Sequence, residues 1–435
     1  MLNRAAKPFI KLVERYLPDP YIFVLLLTLV TIGAAVTLEQ QPLMTVIGQW
    51  GNGLWGLLSF SMQMLLVLVS GFMLASTPLM KNMLARLAKL GNTPGKAIVL
   101  VTLISLTASW INWGFGLVIG ALFAKALARN TQVDYRLLVA SAYSGFVVWH
   151  GGLAGSIPLT IATPGHVSEN QIGVIATGNT IFSGFNLILV AILFVVVPLV
   201  NRMMLPPTDE SIIVSPDKLL EEPMPTSTST RPADKLENSK VLAVLVGFVG
   251  LTYLVHYFVQ GGGLNLNTVN SLFLFLAIVL HGTPKRLLHS LQQAIRGGSG
   301  IIIQFPFYAG IMAVMVQSGL AQSMSQWLIS FASAESLPVW SFISAGIVNI
   351  FVPSGGGQWA VQAPVILPAA IELGADVSRV AMAVAWGDAW TNLIQPFWAL
   401  PVLAIAGLKA KDIMGFCLVQ LIVTGLIIGL VLRFV

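Results

Sequence analysis

Long apolar runs separated by short polar segments dominate this 435-residue chain. A helix needs roughly 20 consecutive apolar residues to cross a bilayer. Nine runs are predicted to do so: 21–37, 54–76, 137–163, 181–200, 241–259, 269–281, 299–317, 380–405 and 413–432. The pattern predicts a polytopic all-α membrane protein.

The charge content excludes other classes of protein. Only 9% of the residues are charged and 56% are hydrophobic, whereas about a quarter of a soluble domain is charged. A soluble enzyme, a disordered chain and a nucleic-acid-binding module are therefore excluded. We expect the chain to be embedded in the lipid bilayer and to have no nucleic acid among its partners.

Two further apolar stretches, 96–128 and 338–371, are too long for one crossing and have glycine-rich centres. The centres read Asn112-Trp113-Gly114-Phe115-Gly116, here called tip one, and Ser354-Gly355-Gly356-Gly357-Gln358, here called tip two. Non-helical backbone is tolerated at membrane depth where it lines a cavity or is buried in protein. Each stretch is predicted to be a re-entrant hairpin, in which two short helical legs meet at the tip.

The basic residues provide a test of this topology. With a cytoplasmic N-terminus and hairpins that enter and leave on one side, every Lys and Arg except Arg379 and Arg433 falls in a cytoplasmic segment. Such a bias fixes the orientation of a membrane protein. Nine crossings then place the N-terminus in the cytoplasm and the C-terminus in the periplasm.

A polar segment, residues 205–240, divides the chain into the halves 1–204 and 241–435 and is predicted to be a flexible cytoplasmic linker. The halves share an order of elements: helix, helix, amphipathic segment, hairpin, broken helix, helix. Weak matches at a shift of 241 to 243 residues pair Gln63 with Gln304, Gly114 with Gly357, Arg136 with Arg379 and Pro158 with Pro401. The extra helix 241–259 inverts the second copy relative to the first. Inverted repeats with broken helices are typical of secondary transporters.

Each half also contains a broken helix after its hairpin. The first, at about 137–163, is interrupted by Gly151 and Gly152, and the second, at about 380–405, by Gln395 and Pro396. Glycine and proline weaken or remove the helical hydrogen-bond ladder. Backbone groups near the middle of the membrane are therefore expected to be free for a ligand.

The tips and the helix breaks are the predicted substrate site. Half-helix N-termini attract anions, and glycine lets a ligand approach the backbone closely. The predicted substrate-binding residues are Asn112, Gly114, Gly116, Gly151, Gly152, Ser354, Gly355, Gly356, Gly357, Gln358 and Gln395. The alternative is that these small residues serve only helix packing.

Asp388 is the one acid well inside an apolar run. An intramembrane carboxylate is costly and usually faces a cavity or a partner. Asp388, Asn392, Ser109 and, more weakly, His150 are predicted to bind a coupling H⁺ or Na⁺. The alternative is a structural carboxylate bonded to Trp386, Trp390 or a backbone break. No other metal site and no cofactor is expected.

Enzyme functions find little support in the sequence. The Gly-x-Ser-Gly pattern at 297–300 occurs in intramembrane serine proteases, but these need a later histidine and none follows His289. His-Glu-x-x-His, P-loop and dinucleotide-binding motifs do not occur in the sequence. The protein is therefore expected not to be an enzyme.

Several longer motifs resemble the AtoE-type short-chain fatty acid transporter family, within the ion transporter superfamily. The motifs are Leu17-Pro18-Asp19-Pro20, Ile111-Asn112-Trp113-Gly114-Phe115-Gly116-Leu117, Phe182-Ser183-Gly184-Phe185-Asn186, Gln304-Phe305-Pro306-Phe307-Tyr308-Ala309-Gly310, Val352-Pro353-Ser354-Gly355-Gly356-Gly357 and Gln395-Pro396-Phe397-Trp398-Ala399-Leu400-Pro401. The resemblance implies inverted repeats, homodimers and an elevator-like transport domain. It also implies small monocarboxylate substrates, such as butyrate or acetoacetate, moved across the bacterial inner membrane. A C4-dicarboxylate or other organic anion carrier of the same superfamily and a passive anion channel remain alternatives.

Overall fold

The structure is a computed structural model that describes residues 20–207, 209–219, 231–395 and 397–435. Within these ranges the fold is helical and has no strands, which confirms the predicted all-α class. The first half contains α1 (Pro20–Thr37), α2 (Leu43–Gly53), α3 (Leu58–Ala75), α4 (Pro78–Ala88), α5 (Pro94–Ile111), α6 (Trp113–Asn130), α7 (Tyr135–Ser144), α8 (Ser156–Ile161), α9 (Glu169–Ile172) and α10 (Gly184–Met203).

The second half follows the linker. It contains α11 (Pro232–Glu237), α12 (Lys240–Val259), α13 (Leu266–His281), α14 (Pro284–Ser318), α15 (Leu320–Ile329), α16 (Leu337–Phe351), α17 (Gly355–Leu373), α18 (Val377–Thr391), α19 (Ala399–Ala406) and α20 (Ala410–Phe434). Short 3₁₀ segments cover Gly145–Gly151, Thr177–Asn179 and Pro216–Leu219. The N-terminal basic residues, Pro396 and the Ser/Thr run 226–230 lie outside the described residues.

Seven described segments are long and apolar enough to cross a membrane. They are Leu58–Ala75, Pro94–Ile111, Tyr135–Ile161, Gly184–Met203, Lys240–Val259, Pro284–Ser318 and Ala410–Phe434. The second of them, α5, is a leg of the first predicted hairpin, and the other six coincide with predicted crossings. The predicted crossings 21–37 and 269–281 are helices too, but shorter ones.

Helices α5 and α6 form hairpin one, with tip one between them. The extended residue Asn112 ends α5 and caps α6, because its Oδ1 accepts a hydrogen bond from Phe115 N at 2.9 Å. The legs run antiparallel and close together, with Gly116 against Ser109. Each leg has 18 residues, about 27 Å at 1.5 Å per residue. The prediction of short legs is therefore wrong for this hairpin, and its re-entrant course stays a prediction.

Helices α16 and α17 form hairpin two in the same way. Ser354 is extended and caps α17, with its Oγ accepting from Gly357 N at 3.4 Å. Gln358 joins the legs, because its Nε2 donates to Ala345 O at 2.9 Å. Each tip is thus an extended polar residue that opens a helix rich in small residues.

The two predicted broken helices are interrupted where their sequences suggested. In the first half, α7 continues as the 3₁₀ segment Gly145–Gly151, and α8 begins only at Ser156. In the second half, α18 ends at Thr391 and α19 begins at Ala399. Both interruptions follow a helix that is almost entirely buried.

Helix starts recur along the chain at an almost constant offset. Four starts of the first half, Pro78, Trp113, Tyr135 and Ser156, are followed 242 or 243 residues later by Leu320, Gly355, Val377 and Ala399. The recurrence supports a duplicated order of helices. The opposite orientation of the two copies and the division at residues 204 and 240 stay predictions.

The described part of the linker lies against the first half. Ile212 N donates to Asp134 Oδ2 at 2.9 Å, and Tyr135 N donates to Ile212 O at 2.9 Å. Arg129 donates to Leu219 O, and Leu219 is buried. The prediction of a flexible linker is therefore wrong for residues 209–219, which are held at the start of α7.

Candidate transport site

A buried acid and a buried histidine form the centre of the molecule. Asp388 lies on α18 and His150 lies in the 3₁₀ segment after α7, and both side chains are fully buried. His150 Nδ1 is 3.1 Å from Asp388 Oδ2, but the ring N–H is off the line of a hydrogen bond, so both carboxylate oxygens lack one in the described structure. The pair joins the two halves of the chain.

The second nitrogen of His150 determines which protonated form the ring adopts. His150 Nε2 is 3.2 Å from the backbone N–H of Ile157, which can only donate, so Nε2 accepts. In the neutral ring the proton then resides on Nδ1, which faces Asp388. The imidazole therefore presents an N–H, not a lone pair, to the carboxylate.

Two tryptophan–asparagine bonds connect the halves around this pair. Trp149 Nε1 donates to Asn392 Oδ1 at 3.0 Å, and Trp386 Nε1 donates to Asn186 Oδ1 at 2.9 Å. Both pairs are buried. Asn392, a predicted coupling-ion residue, is thus linked to His150 through Trp149, whose ring stacks on the His150 ring at 3.8 Å between centroids.

Tip one is tightly packed and contains unpartnered polar atoms. An added Cβ at Gly114 would lie 2.9 Å from the Leu68 backbone, and one at Gly116 would lie within 2.6 Å of Ser109 N. Ser109 Oγ and Asn112 Nδ2 are buried and have no hydrogen-bond partner in the described structure. The predicted residues of tip one thus lie together with Ser109 of α5, and Asn112 and Ser109 each have an unused polar group.

Tip two packs directly against the central pair. An added Cβ at Gly355 would lie 2.7 Å from His150 Nε2, and one at Gly357 would lie 2.6 Å from the Tyr308 ring. Gln358 uses its Nε2 to bind Ala345 O and Gln362 Oε1 within hairpin two. Gln358 is therefore engaged mainly in holding the hairpin together.

The predicted residues of the helix breaks differ in their surroundings. Gly151 packs against the Trp386 ring and Gly152 against the Trp110 backbone, so both allow close packing. Gln395 is buried, and its Oε1 has no partner in the described structure. Of these three, Gln395 alone has a free side-chain group for a ligand.

Two cavities reach the tips from different parts of the molecule. The larger, of about 610 Å³, is lined by Gly114 of tip one and by Gln304 of α14, among others. The smaller, of about 180 Å³, is lined by Gly356 of tip two and by Gln63 of α3. Each cavity is thus lined by a hairpin tip of one half and by a glutamine from a helix of the other half. The two glutamines, Gln63 and Gln304, are 241 residues apart.

Several site residues were not singled out by the sequence analysis. Trp113, in tip one, lies 5.8 Å from Trp149 and 5.0 Å from Trp398 between ring centroids. Trp398 also lines the larger cavity, and both indole N–H groups are buried without a partner in the described residues. Tyr308 donates to Gln304 Oε1 at 3.2 Å. The sequence offered one signal: Trp113, Trp398, Tyr308 and Gln304 all lie in long motifs that also contain glycine or proline.

Metal binding by acidic or thiol clusters has no support in the described ranges, where no group of three or more His, Cys, Asp and Glu side chains meets. The centre offers one carboxylate and one imidazole.

Comparison with known proteins agrees with this description. The profile of the family described as Short chain fatty acid transporter matches residues 1–435. A relative from Escherichia coli K12, provisionally named a short-chain fatty acid transporter, is 43% identical over 99% of this chain and 100% of its own length. A relative from Haemophilus influenzae with the same provisional name is 43% identical over 99% of both chains.

Among solved structures, the YdaH transporter of Alcanivorax borkumensis has a similar fold. The TM-score is 0.58 at 16% identity, over 95% of this chain and 98% of that chain. The membrane-length apolar helices and the family match identify a multi-pass membrane transporter. More specifically, the chain belongs to the short chain fatty acid transporter family.

Proposed function

We propose that this protein is a secondary active transporter that couples the movement of a short-chain monocarboxylate, such as butyrate or acetoacetate, to a proton. The family and the names of its relatives support the substrate class. The observation that carries the coupling is the fully buried Asp388–His150 pair, which touches tip two.

The substrate carboxylate would be bound by donors that the protein leaves unused. The indole N–H groups of Trp113 and Trp398 and the side-chain Nδ2 groups of Asn112 and Asn392 are buried without partners in the described structure. A buried unpaired donor costs about 1–3 kcal/mol, and a carboxylate can accept several hydrogen bonds at once. Helices α6 and α17 also begin at the tips, so their positive ends would favour an anion.

The coupling proton would reside on Asp388. His150 Nε2 already accepts from Ile157 N, so a proton there would break that bond. The Asp388 oxygens accept no hydrogen bond in the described structure, so a proton on either oxygen would break none. Protonation of Asp388 would remove a buried charge, which favours movement of the loaded site through an apolar environment.

The setting in the cell follows from the sequence. We propose that the protein lies in the bacterial inner membrane with a cytoplasmic N-terminus and a periplasmic C-terminus, because the basic residues lie almost entirely on one side. The elevator-like movement and the homodimer that the family resemblance implies stay predictions.

The test is uptake of labelled butyrate into proteoliposomes with H⁺ and Na⁺ gradients imposed separately. Transient accumulation driven by the H⁺ gradient alone is the expected result. Accumulation driven only by a Na⁺ gradient would support secondary transport but would make Na⁺, not H⁺, the coupling ion. Equilibration without accumulation would indicate a uniporter or a channel, and uptake of succinate without butyrate would indicate a dicarboxylate carrier.

A further inference from the structure

Among the described residues, one cation lines the larger cavity. Arg296 of α14 lines it together with Ser299 and Gln304, and most of the remaining wall is apolar or aromatic. Its guanidinium has no ion pair or side-chain hydrogen bond within the part of the chain that the structure describes. No described Lys or Arg lines the smaller cavity.

Arg296 lies 22 residues before Ser318, the end of α14. This corresponds to about 33 Å of helix, close to the roughly 30 Å thickness of the hydrocarbon core. The basic residues of the chain predict that the Arg296 end of this span faces the cytoplasm. Gln304 is two turns deeper, and Tyr308, which donates to it, is a further turn deeper and fully buried.

The positions Arg296, Gly300, Gln304 and Tyr308 recur every four residues, so they follow one slowly winding face of α14. Gly300 allows the ring of Phe397 to pack close to this face, because an added Cβ would lie only 3.0 Å from Phe397 Cζ. The face therefore carries polar groups at three levels: Arg296 and Gln304 line the larger cavity, and Tyr308 is buried below them against Gly357 of tip two.

We propose that Arg296 is the initial binding residue for the substrate carboxylate on the cytoplasmic side, with the hydrocarbon tail against Phe397 and Trp398. The inference rests on the proposed function and adds a second, outer site to it. A guanidinium binds a carboxylate through two parallel hydrogen bonds. One cation beside an aromatic wall matches an anion with one carboxylate and an apolar tail, and leaves a second carboxylate without a partner.

The test uses Arg296→Cys, with Arg286→Cys as the matched control on the same helix. Both arginines are exposed, but Arg286 does not line the cavity. Each substitution removes one basic residue from the same predicted side, so effects on topology are matched. The natural Cys417 is buried, so methanethiosulfonate reagents should modify the introduced thiol. Treated wild-type protein is the reagent control.

Butyrate uptake is measured in inside-out and right-side-out membrane vesicles, before and after modification. Arg296→Cys is expected to raise KM about tenfold in inside-out vesicles, since a charge-assisted hydrogen bond contributes about 1.5–3 kcal/mol. A positively charged trimethylammonium reagent should recover most of this loss, and a negatively charged sulfonate reagent should increase it. KM in right-side-out vesicles should not change.

The outcomes separate the two proposals. Absence of butyrate transport by the wild-type protein would overturn both. Transport by the wild-type protein with equal KM for the two cysteine variants, or with no difference between the two reagents, would overturn the role of Arg296 alone. Because the reagents act on protein that is already folded in the membrane, a folding defect cannot produce a difference between them.

Discussion

The two hairpin tips share their chemistry but differ in what supports them. Asn112 and Ser354 are both extended residues that cap the helix after them. The glycines of tip one, however, press on the backbone of Ser109 and Leu68, whereas those of tip two press on side-chain rings. Because a side chain can adopt another rotamer more easily than a packed helix can shift its backbone, we expect the surroundings of tip two to change more readily than those of tip one.

The two tips also differ in what they touch. Tip two contacts His150 and Tyr308, whereas tip one reaches the central pair through the Trp113 ring, which lies tilted against the Trp149 ring. The acid of the pair, Asp388, belongs to the half that contains tip two. Coupling is therefore expected to act on tip two, and tip one is expected to provide a fixed wall for the substrate.

The largest expected effect concerns the acid. Asp388→Asn should abolish accumulation of butyrate driven by a proton gradient, because an amide cannot take up and release the coupling proton. Asp376→Asn, on the exposed N-cap of the same helix, should accumulate butyrate normally. Counterflow exchange in proteoliposomes checks that both variants are folded, and concentrative uptake by Asp388→Asn would contradict the prediction.

A glycine substitution at each tip tests the difference in support. Gly116→Ala should lower the free energy of unfolding by about 1–3 kcal/mol, because overpacking against a backbone forces it to shift. Gly356→Ala should cost less than about 1 kcal/mol, because the nearest atom is Cζ of the half-buried Phe60 ring, which can rotate. Thermal unfolding in detergent measures both. Equal losses would mean that the two tips are equally rigid.

The reciprocal tryptophan bonds offer a finer comparison. Trp149→Phe and Trp386→Phe should each lose about 1 kcal/mol of stability with the hydrogen bond to an asparagine of the other half. Only Trp149→Phe should also slow butyrate transport, because its partner Asn392 lies at the proposed site. Unfolding temperature and initial uptake rate separate the two effects. A similar transport defect in both variants would place Asn186 in the site as well.

The smallest expected effect concerns the two glutamines. Gln304→Leu should raise the KM for butyrate by about threefold, because it removes a polar group from the larger cavity and the hydrogen-bond partner of Tyr308. Gln63→Leu should change KM less, since the Gln63 amide already donates to Asn267 Oδ1 at 2.8 Å. Uptake kinetics provide the measurement. A larger rise in KM for Gln63→Leu than for Gln304→Leu would make the smaller cavity the main substrate route.

Much of this fold could be predicted from the sequence because apolar length and glycine position are local signals. The runs of about 20 apolar residues became helices, and the polar residues Asn112 and Ser354 before glycine-rich stretches became caps. The legs of hairpin one are longer than predicted: α5 has 18 residues and is apolar enough to cross a membrane by itself. The bonds of Ile212 to Asp134 and Tyr135 depend on contacts between residues distant in sequence, and no local pattern reveals them.

The site was predictable only in part, for a similar reason. An acid in an apolar run is conspicuous in a sequence, so Asp388 could be found. That Gly151 and Gly152 serve packing depends on Trp386 and Trp110, which approach them only in three dimensions. Trp113 and Trp398 could not be distinguished from ordinary packing residues until their unpartnered N–H groups were located.

The bond between Trp149 and Asn392 has an evolutionary consequence. Because one partner lies in each half, neither half can drift independently at these positions without leaving a buried polar group unpaired. Among related sequences, a change at position 149 should therefore coincide with a change at position 392. Such paired variation would record that the two halves of this chain are inherited as one functional unit.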